Sequence, residues 1–307
     1  MPLFDSHLWL YDFVASDTDG MVHQISETIL TRKTEFQNVT VLATPRFGKI
    51  LTLDGRVQSL EMDEFVYHES LVHPAMVACA EPRKALVIGG GEGACLREIL
   101  RHKCVTDAVM VDIDGELVSI CKEHLPTYHQ GAFDHPKTRL YVQDAAKFVK
   151  ESQEQFDVVI VDLSEPSPGT PAYYLFTTEF YQDLTRILAP GAVVGFQSDA
   201  AAIHAPSLWT TTVNTIRQVF PHVRPYVTTI PGFGSEWGYA LAAHAPLPEL
   251  DVARVDAILE KRVDTSLLRF YDGQTHQRLF CLPKYMRTLL DNESRVFRLD
   301  SPPVVEW

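Results

Sequence analysis

The sequence predicts an α/β fold, in which helices cover both faces of a largely parallel seven-stranded sheet and a small antiparallel β domain precedes the sheet. Three observations support this prediction. Residues 85–114 have the pattern strand, glycine loop, helix, strand, acid. Apolar strand-like runs then alternate with helical patterns as far as residue 220. Before residue 60 there are only short strand-like runs, separated by turn signals.

The glycine loop follows the first apolar run of the sheet. Residues 85–88 are apolar, residues 89–93 read Gly-Gly-Gly-Glu-Gly, and a helical pattern occupies residues 93–102. A second apolar run, at 108–111, ends in Asp112. An acid placed about 20 residues after such a loop can accept the hydroxyls of a ribose. The segment therefore indicates a nucleoside-binding βαβ unit, with a glycine turn that binds no ligand as the alternative.

The acid inside the loop indicates which nucleoside this is. Glu92 lies where the pyrophosphate of a dinucleotide would sit, and a carboxylate repels phosphate but attracts a cation. We therefore expect a nucleoside that carries positive charge, such as the sulfonium of S-adenosylmethionine or a relative of it.

The remaining elements complete a Rossmann-like, methyltransferase-type sheet. Strands are predicted at 85–88, 108–112, 139–143, 156–163, 192–198, 223–230 and 237–243. Helices are predicted at 93–102, 115–124, 145–152, 177–188 and 207–220. The last two strands have no helix between them, and the glycine turn at 232–234 predicts an antiparallel pair.

The first sixty residues predict a separate β unit. Residues 36–42 and 49–53 are strand-like, and the Asp54-Gly55 dipeptide predicts a hairpin turn. We place an N-terminal β domain at 1–60 and the catalytic domain at 61–307. The second domain begins with a predicted helix at 63–80, which Pro74 is expected to bend or interrupt.

Composition narrows the class of protein. The 27 basic and 40 acidic residues give 27 − 40 = −13, a charge that repels nucleic acid and anionic membranes and attracts cations, unless it serves solubility alone. The five cysteines include no C-x-x-C pair and the histidines no H-E-x-x-H spacing, so we predict no metal site. The first thirteen residues do not resemble a signal peptide and no apolar run could span a membrane, so we expect a cytoplasmic protein.

Four predicted strands are followed by acids. Ligands of open α/β sheets bind outside the carboxyl ends of the strands, where Glu92, Asp112, Asp144 and Asp162 are expected to meet. Asp144, with the backbone of Ala145, either binds an adenine ring or caps the next helix.

The turn after the fourth strand carries a second acid. Asp162 and Glu165 flank Ser164 there, which suits a substrate with several positive charges, although strand-end acids also cap turns.

These residues resemble the polyamine aminopropyltransferases, the spermidine and spermine synthase family, over almost the whole chain. The matching segments are 53–55, 63–69, 89–93, 112–114, 162–166, 269–271 and 282–283. Within the family the chain is most similar to the thermospermine synthases, because of Glu92 in the glycine loop, the segment 67–74 and Trp237-Gly238. Glu165 departs from the pattern, since the family usually has Asp there.

The resemblance implies transfer of a 3-aminopropyl group from decarboxylated S-adenosylmethionine, a co-substrate, to a polyamine, with no tightly bound cofactor. The expected acceptor is spermidine, which would give thermospermine and 5'-methylthioadenosine. A homodimer or homotetramer is also implied. The donor would contact Gln37, Glu92, Asp112, Asp144 and Ala145. The amine would contact Tyr67, His68, Asp162, Glu165, Tyr226 and Trp237, with Asp162 as the proton acceptor.

Other functions stay open at this stage. Within the family, the alternatives are a spermidine synthase acting on putrescine and a spermine synthase. A different class is a methyltransferase acting on small molecules, in which Glu92 and Asp162 would repel the carboxylate of intact S-adenosylmethionine. A third class is a polyamine-binding protein without catalysis.

Overall fold

The computed structural model describes residues 8–13, 19–166 and 170–302. Its strands are β1 (Leu8–Asp12), β2 (Met21–Ile25), β3 (Glu27–Lys33), β4 (Asn38–Thr44), β5 (Gly48–Leu53), β6 (Arg56–Leu60), β7 (Lys84–Gly89), β8 (Asp107–Asp112), β9 (Thr138–Val142), β10 (Phe156–Asp162), β11 (Leu188–Ala200), β12 (His222–Ile230) and β13 (Ser235–Ala243). Its α-helices are α1 (Glu64–Ala78), α2 (Ala94–Leu100), α3 (Gly115–His124), α4 (Pro126–His129), α5 (Ala145–Glu151), α6 (Thr178–Thr185), α7 (Ser207–Arg217), α8 (Val252–Arg262), α9 (Gly273–Leu279) and α10 (Lys284–Asn292).

The central sheet has seven strands in the order β12-β13-β11-β10-β7-β8-β9. Strands β11, β10, β7, β8 and β9 run parallel to one another. Strand β13 runs antiparallel to β11 and pairs with β12 as the antiparallel pair at one edge. The predicted fold class is therefore confirmed. Strand β8 lies on one side of β7 and strand β10 on its other side, so the direction in which successive strands are added reverses at β7. A crevice opens at such a point beyond the carboxyl ends of the strands.

Both faces of the parallel strands are buried, which explains their near-continuous apolar sequence. Within β7, Val87 packs in the cluster that contains residues of α1 and α2, whereas Leu86 packs with residues of α5, α6 and α7. Neighbouring residues of β10 divide in the same way, with Ile160 on the first face and Val159 on the second. None of the described helices is long and apolar enough to cross a bilayer.

Helix α1 runs through Pro74 without interruption, so of the two predicted effects the interruption is absent and a bend stays a prediction. Proline cannot donate a hydrogen bond to the carbonyl one turn earlier, which belongs to Ser70. That carbonyl instead accepts a hydrogen bond of 2.9 Å from the hydroxyl of Tyr226 on β12. A side chain from the central sheet thus satisfies the carbonyl that proline leaves open.

The N-terminal region forms two antiparallel units, the β1-β2 pair and the four-stranded sheet β3-β4-β5-β6. Asp54 and Gly55 join β5 to β6 with φ angles of 50° and 83°, as the predicted hairpin turn requires. The Thr34 hydroxyl donates to Asp114 at 2.6 Å and ties this sheet to the glycine-loop domain. The boundary between residues 60 and 61 stays a prediction.

Candidate active site

One cavity lies beyond the carboxyl ends of β7, β8 and β10 and is closed on its other side by the N-terminal sheet. Its described acidic lining residues are Asp54, Glu92, Asp112, Asp144, Asp162 and Glu165. Arg56 is the one lysine or arginine among the lining residues that the structure describes. The cavity therefore favours cationic ligands.

Most of the predicted site residues meet in this cavity. Those that line it are Gln37, Tyr67, Glu92, Asp112, Asp144, Ala145, Asp162 and Glu165. His68 lies directly behind the wall, with 1 % of its side chain exposed. Tyr226 and Trp237 are not among the described lining residues.

Tyr226 and Trp237 occupy packing positions in the sheet. Tyr226 is fully buried, stacks on Tyr239 at 5.2 Å between ring centroids, and bonds to the carbonyl of α1 described above. Trp237 packs against Phe233 at 4.9 Å and against Tyr67 at 6.3 Å. The structure thus connects Trp237 to the cavity through Tyr67, and it assigns Tyr226 a place in the core.

The glycine loop passes flat against the end of β10. Gly89 and Gly90 have φ angles of 80° and 71°, which favour glycine, and the Gly90 amide donates to the carbonyl of Asp162 at 2.9 Å. A Cβ on Gly89 would overlap that same carbonyl oxygen, and one on Gly90 would lie 3.2 Å from Asp162 Oδ2. Larger residues here would displace Asp162.

At the end of β8, Asp112 lines the cavity, and Asp114 forms hydrogen bonds with neighbouring elements. Asp114 accepts from Gln37 Nε2 at 3.0 Å and from the Leu117 amide at 2.9 Å, where it caps α3. Asp112 accepts the Asp114 amide at 2.8 Å, and burial together with the neighbouring acids raises the pKa of Asp112 to about 6. Gln37, which also lines the cavity, is thereby held in place.

Asp144 caps α5 and also lines the cavity. Its Oδ1 accepts from the Ala146 amide at 2.7 Å and the Lys147 amide at 3.3 Å. The capping alternative is thus confirmed, and ligand binding by Asp144 remains a prediction.

Asp162 is held by two donors at the end of β10. The Tyr67 hydroxyl donates to Oδ1 at 2.7 Å, and the Cys95 thiol donates to Oδ2 at 3.1 Å. Burial raises the pKa of Asp162. The charge of His68 lowers this pKa, and the charge of Glu92 raises it further. Burial also raises the pKa of Tyr67 well above its usual range, so the phenol keeps its proton and donates. The sequence analysis did not predict Cys95 as a site residue. Its position three residues after Glu92 was the one indication that it lies near the glycine loop.

A buried ionic chain positions Glu92. Arg97 forms a bidentate pair with Glu64 at 3.0 and 2.9 Å, and Glu64 accepts from His68 Nδ1 at 2.9 Å. His68 Nε2 lies 3.0 Å from Glu92 Oε1. Burial lowers the pKa of His68, but Glu64 and Glu92 together raise it to about 10. The imidazole therefore stays protonated and neutralises part of the charge around Glu92.

Two further acids, which sequence reasoning missed, lie near Glu165. Asp12 accepts from the Val57 amide at 3.1 Å, and Asp199 accepts from the Ala200 amide at 2.6 Å. Burial, followed by the charge of Glu165, raises the pKa of Asp199 to about 7, and burial is also the main reason that the pKa of Asp12 rises to about 6. The Oδ2 atoms of both acids are buried and have no hydrogen-bond partner in the described part of the chain. Asp12 ends the short strand β1 and Asp199 follows Gln197 and Ser198 near the end of β11, so no strand pattern distinguished either acid.

Two family models and many curated relatives match this chain. Residues 64–252 match the family described as Spermine/spermidine synthase domain, and residues 9–61 match the Spermidine synthase tetramerisation domain. A polyamine aminopropyltransferase of Sulfurisphaera tokodaii is 40 % identical over 92 % of this chain and 93 % of its own length. One from Synechococcus is 40 % identical over 98 % of each chain.

Solved structures are similar over the same extent. A spermidine synthase in complex with the transition state analogue AdoDATO superposes with a TM-score of 0.87 at 27 % identity, over 94 % of this chain and 97 % of the other. Spermidine synthase from Thermotoga maritima gives a TM-score of 0.85 at 27 % identity, over 94 % and 96 %. The chain therefore belongs to the spermine/spermidine synthase family of polyamine aminopropyltransferases.

Proposed function

We propose that the protein transfers the 3-aminopropyl group of decarboxylated S-adenosylmethionine to spermidine and releases thermospermine and 5'-methylthioadenosine. One observation carries the proposal: Asp162 and Glu165 line the cavity, and burial together with the charge of Glu165 raises the pKa of Asp12 and of Asp199, so the row of acids continues past Glu165. The family of the chain supports the chemistry, and this row of acids supports a long acceptor.

The donor would occupy the part of the cavity between the glycine loop and the N-terminal sheet. In this proposal Asp112 accepts the ribose hydroxyls, and Asp144 with the backbone of Ala145 binds the adenine. Gln37, which Asp114 holds in place, closes this part. Glu92 faces the sulfonium and the ammonium of the aminopropyl group, through charge-assisted contacts.

The nucleophile must be an uncharged amine. An alkylammonium with a pKa of about 10 costs about 4 kcal/mol to deprotonate at pH 7, at about 1.36 kcal/mol per unit. In the proposed step the amine nitrogen attacks the carbon bound to sulfur, the C–S bond breaks, and its electron pair leaves a neutral thioether on methylthioadenosine. Asp162 takes the amine proton, and its raised pKa makes that transfer less unfavourable. Tyr67 and Ser164 help to orient the nitrogen.

The distal ammonium groups of the acceptor would face Glu165, Asp199 and Asp12. Putrescine has one ammonium beyond the reacting nitrogen, whereas spermidine has two, so the longer row of acids favours spermidine. A spermidine synthase acting on putrescine is the alternative within the family, followed by a spermine synthase. In the third alternative, a methyltransferase, the carboxylate of intact S-adenosylmethionine would lie against Glu92 and Asp162.

The deciding experiment incubates the protein with decarboxylated donor and, in separate reactions, with putrescine, spermidine and norspermidine. The chromatography of the products must separate thermospermine from spermine. We expect spermidine to be the preferred triamine and thermospermine its product. Faster use of putrescine would support spermidine synthase. Tighter binding of intact than of decarboxylated S-adenosylmethionine would support a methyltransferase.

We also propose a homodimer or homotetramer that forms through the β1-β2 pair. Leu8, Tyr11 and Val22 expose 62 %, 57 % and 48 % of their side chains there, a large apolar area for one hairpin. The tetramerisation family matched by this region supports the proposal. Light scattering should give two or four times the monomer mass, and an Asp substitution at Tyr11 should lower it.

A further inference from the structure

Three potential metal ligands meet beside the proposed proton acceptor. One ligand atom each from His68 on α1, Cys95 on α2 and Asp162 on β10 lie within 4.8 Å of one another. Cys95 Sγ and Asp162 Oδ2 are 3.1 Å apart. Tetrahedral zinc, with bonds of about 2.0 to 2.3 Å, separates its ligands by about 3.5 Å. Side-chain rotations that bring the farthest atoms about 1 Å closer would complete this geometry.

The histidine is oriented as a metal ligand. Its Nδ1 is bonded to the carboxylate of Glu64 at 2.9 Å and to the Glu64 carbonyl at 2.7 Å, which directs Nε2 toward the cluster. Metal-bound histidines usually have such a carboxylate on the second nitrogen. His68 Nε2 is buried, and within the described residues no acceptor is aligned for a hydrogen bond with it, although Glu92 Oε1 lies 3.0 Å away. Glu92 therefore adds negative charge beside the three proposed ligands.

The chemistry of these ligands selects the metal. A nitrogen, a sulfur and a carboxylate oxygen suit Zn²⁺, whereas Mg²⁺ and Ca²⁺ prefer sites made of oxygen alone. We propose that His68, Cys95 and Asp162 form an inhibitory binding site for Zn²⁺ in this enzyme. The inhibitory part rests on the role of Asp162 in the proposed function. The binding part rests on the three ligands alone.

Zinc would bind as Cys95 and His68 lose their protons. Thiol and imidazolium each release one proton to solvent, the sulfur and Nε2 electron pairs bind the metal, and a carboxylate oxygen of Asp162 completes three protein ligands. The fourth ligand would be a water from the cavity that Asp162 lines. Asp162 can then neither receive a proton from the amine nor face its positive charge. Zinc should therefore compete with the polyamine.

A direct binding experiment tests the site without any turnover. Metal-free protein is titrated with Zn²⁺ by calorimetry and with Co²⁺ by absorption, where a thiolate ligand gives a charge-transfer band in the near ultraviolet. We expect one equivalent to bind with that band. Cys95→Ser and Cys95→Ala should remove the band and weaken Zn²⁺ binding by about tenfold or more. Cys281→Ser is the matched control, because Cys281 is an exposed free thiol outside the cluster, and it should change neither readout.

An inhibition experiment tests the consequence. Zn²⁺ should inhibit the wild-type enzyme competitively against the polyamine, a chelator should restore activity, and Mg²⁺ at the same concentration should have no effect. The zinc inhibition constant of Cys95→Ser should rise by the same factor as its dissociation constant. Equal Zn²⁺ affinity in Cys95→Ser, a missing thiolate band in the wild type, or zinc bound at Cys95 without inhibition would each overturn the proposal. If the protein does not turn over polyamines, the proposed function fails, but the Co²⁺ spectrum still tests the metal site. The failure of one proposal is therefore distinguishable from the failure of the other.

Discussion

Replacing Asp162 with Asn tests the central step of the proposed reaction. The substitution is nearly isosteric and leaves an oxygen that can accept the 2.7 Å hydrogen bond from Tyr67. It removes the group that would take the amine proton. Glu92, Asp112 and Asp144 remain, so the donor loses at most one charge-assisted hydrogen bond, about 1.5 kcal/mol or roughly tenfold in affinity.

The loss of turnover should be much larger than the loss of donor affinity. Without Asp162 the amine must lose its proton to water before it attacks, which at pH 7 costs about 4 kcal/mol, or about a thousandfold in rate. General-base catalysis contributes about 10² to 10⁴ in other enzymes, which brackets the same value. We therefore expect kcat to fall by about 10³ at pH 7. The rate of the variant should rise about tenfold per pH unit toward the pKa of the amine, because the fraction of free amine then limits it.

The assay is formation of methylthioadenosine in a single turnover, with donor affinity measured separately by calorimetry. Asp134→Asn is the matched control, since Asp134 is 71 % exposed and pairs with Lys122 away from the cavity. Turnover near the wild-type rate in Asp162→Asn, with donor binding intact, would remove Asp162 from the role of proton acceptor. Loss of donor binding equal to the loss of rate would show that Asp162 acts in binding.

Four other changes have expected outcomes. Tyr67→Phe loses the bond to Asp162 and should lower kcat by about tenfold or more at unchanged donor affinity, as hydrogen bonds to charged groups contribute about 1.5 to 3 kcal/mol; an unchanged kcat would contradict this. Asp199→Asn should lower kcat/KM about tenfold for spermidine and less than about twofold for putrescine, and equal losses would refute the assignment of Asp199 to the distal amine. The pKa of Asp199 rises to about 7 on folding, so the unfolded chain releases this proton at lower pH than the folded protein does. The ligand-free protein should therefore lose roughly 1 to 4 kcal/mol of stability between pH 4 and 7. Denaturant unfolding should show a smaller loss in Asp199→Asn. Gly90→Ala places a Cβ 3.0 Å from Val87 and 3.2 Å from Asp162 at a φ of 71°, so thermal unfolding should report about 1 to 2 kcal/mol of destabilisation, and a neutral change would show that the loop can shift.

Much of the fold could be predicted because its signals are local. A strand buried on both faces needs a continuous apolar run, and a helix needs apolar residues every three or four positions. Both patterns lie within a few residues of one another in β7 and β10, whatever the rest of the chain does. The interruption considered at Pro74 is absent because of a contact that is not local. The hydroxyl that bonds to the carbonyl of Ser70 belongs to Tyr226, 156 residues farther along the chain.

Some acids of the candidate site could be predicted from local patterns, and others could not. Glu92, Asp112, Asp144 and Asp162 follow parallel strands whose carboxyl ends meet at one edge, so their strand positions alone predict that they converge. Asp199 lies beyond the regular apolar part of its strand, at a φ of 76°. No periodic pattern of side chains predicts such a position.

By itself, the sequence determined the order of the elements, the glycine loop and the row of strand-end acids, since each depends on short-range patterns or on the rule that parallel strands share an edge. Only the tertiary structure decided which groups surround those acids: the Cys95 thiol donates to Asp162, the protonated His68 lies between Glu64 and Glu92, and Asp12 and Asp199 are buried near Glu165. Hydrogen bonding and pKa depend on separations of about 3 Å and on burial. The packing of α1, α2 and the N-terminal strands against the sheet sets both.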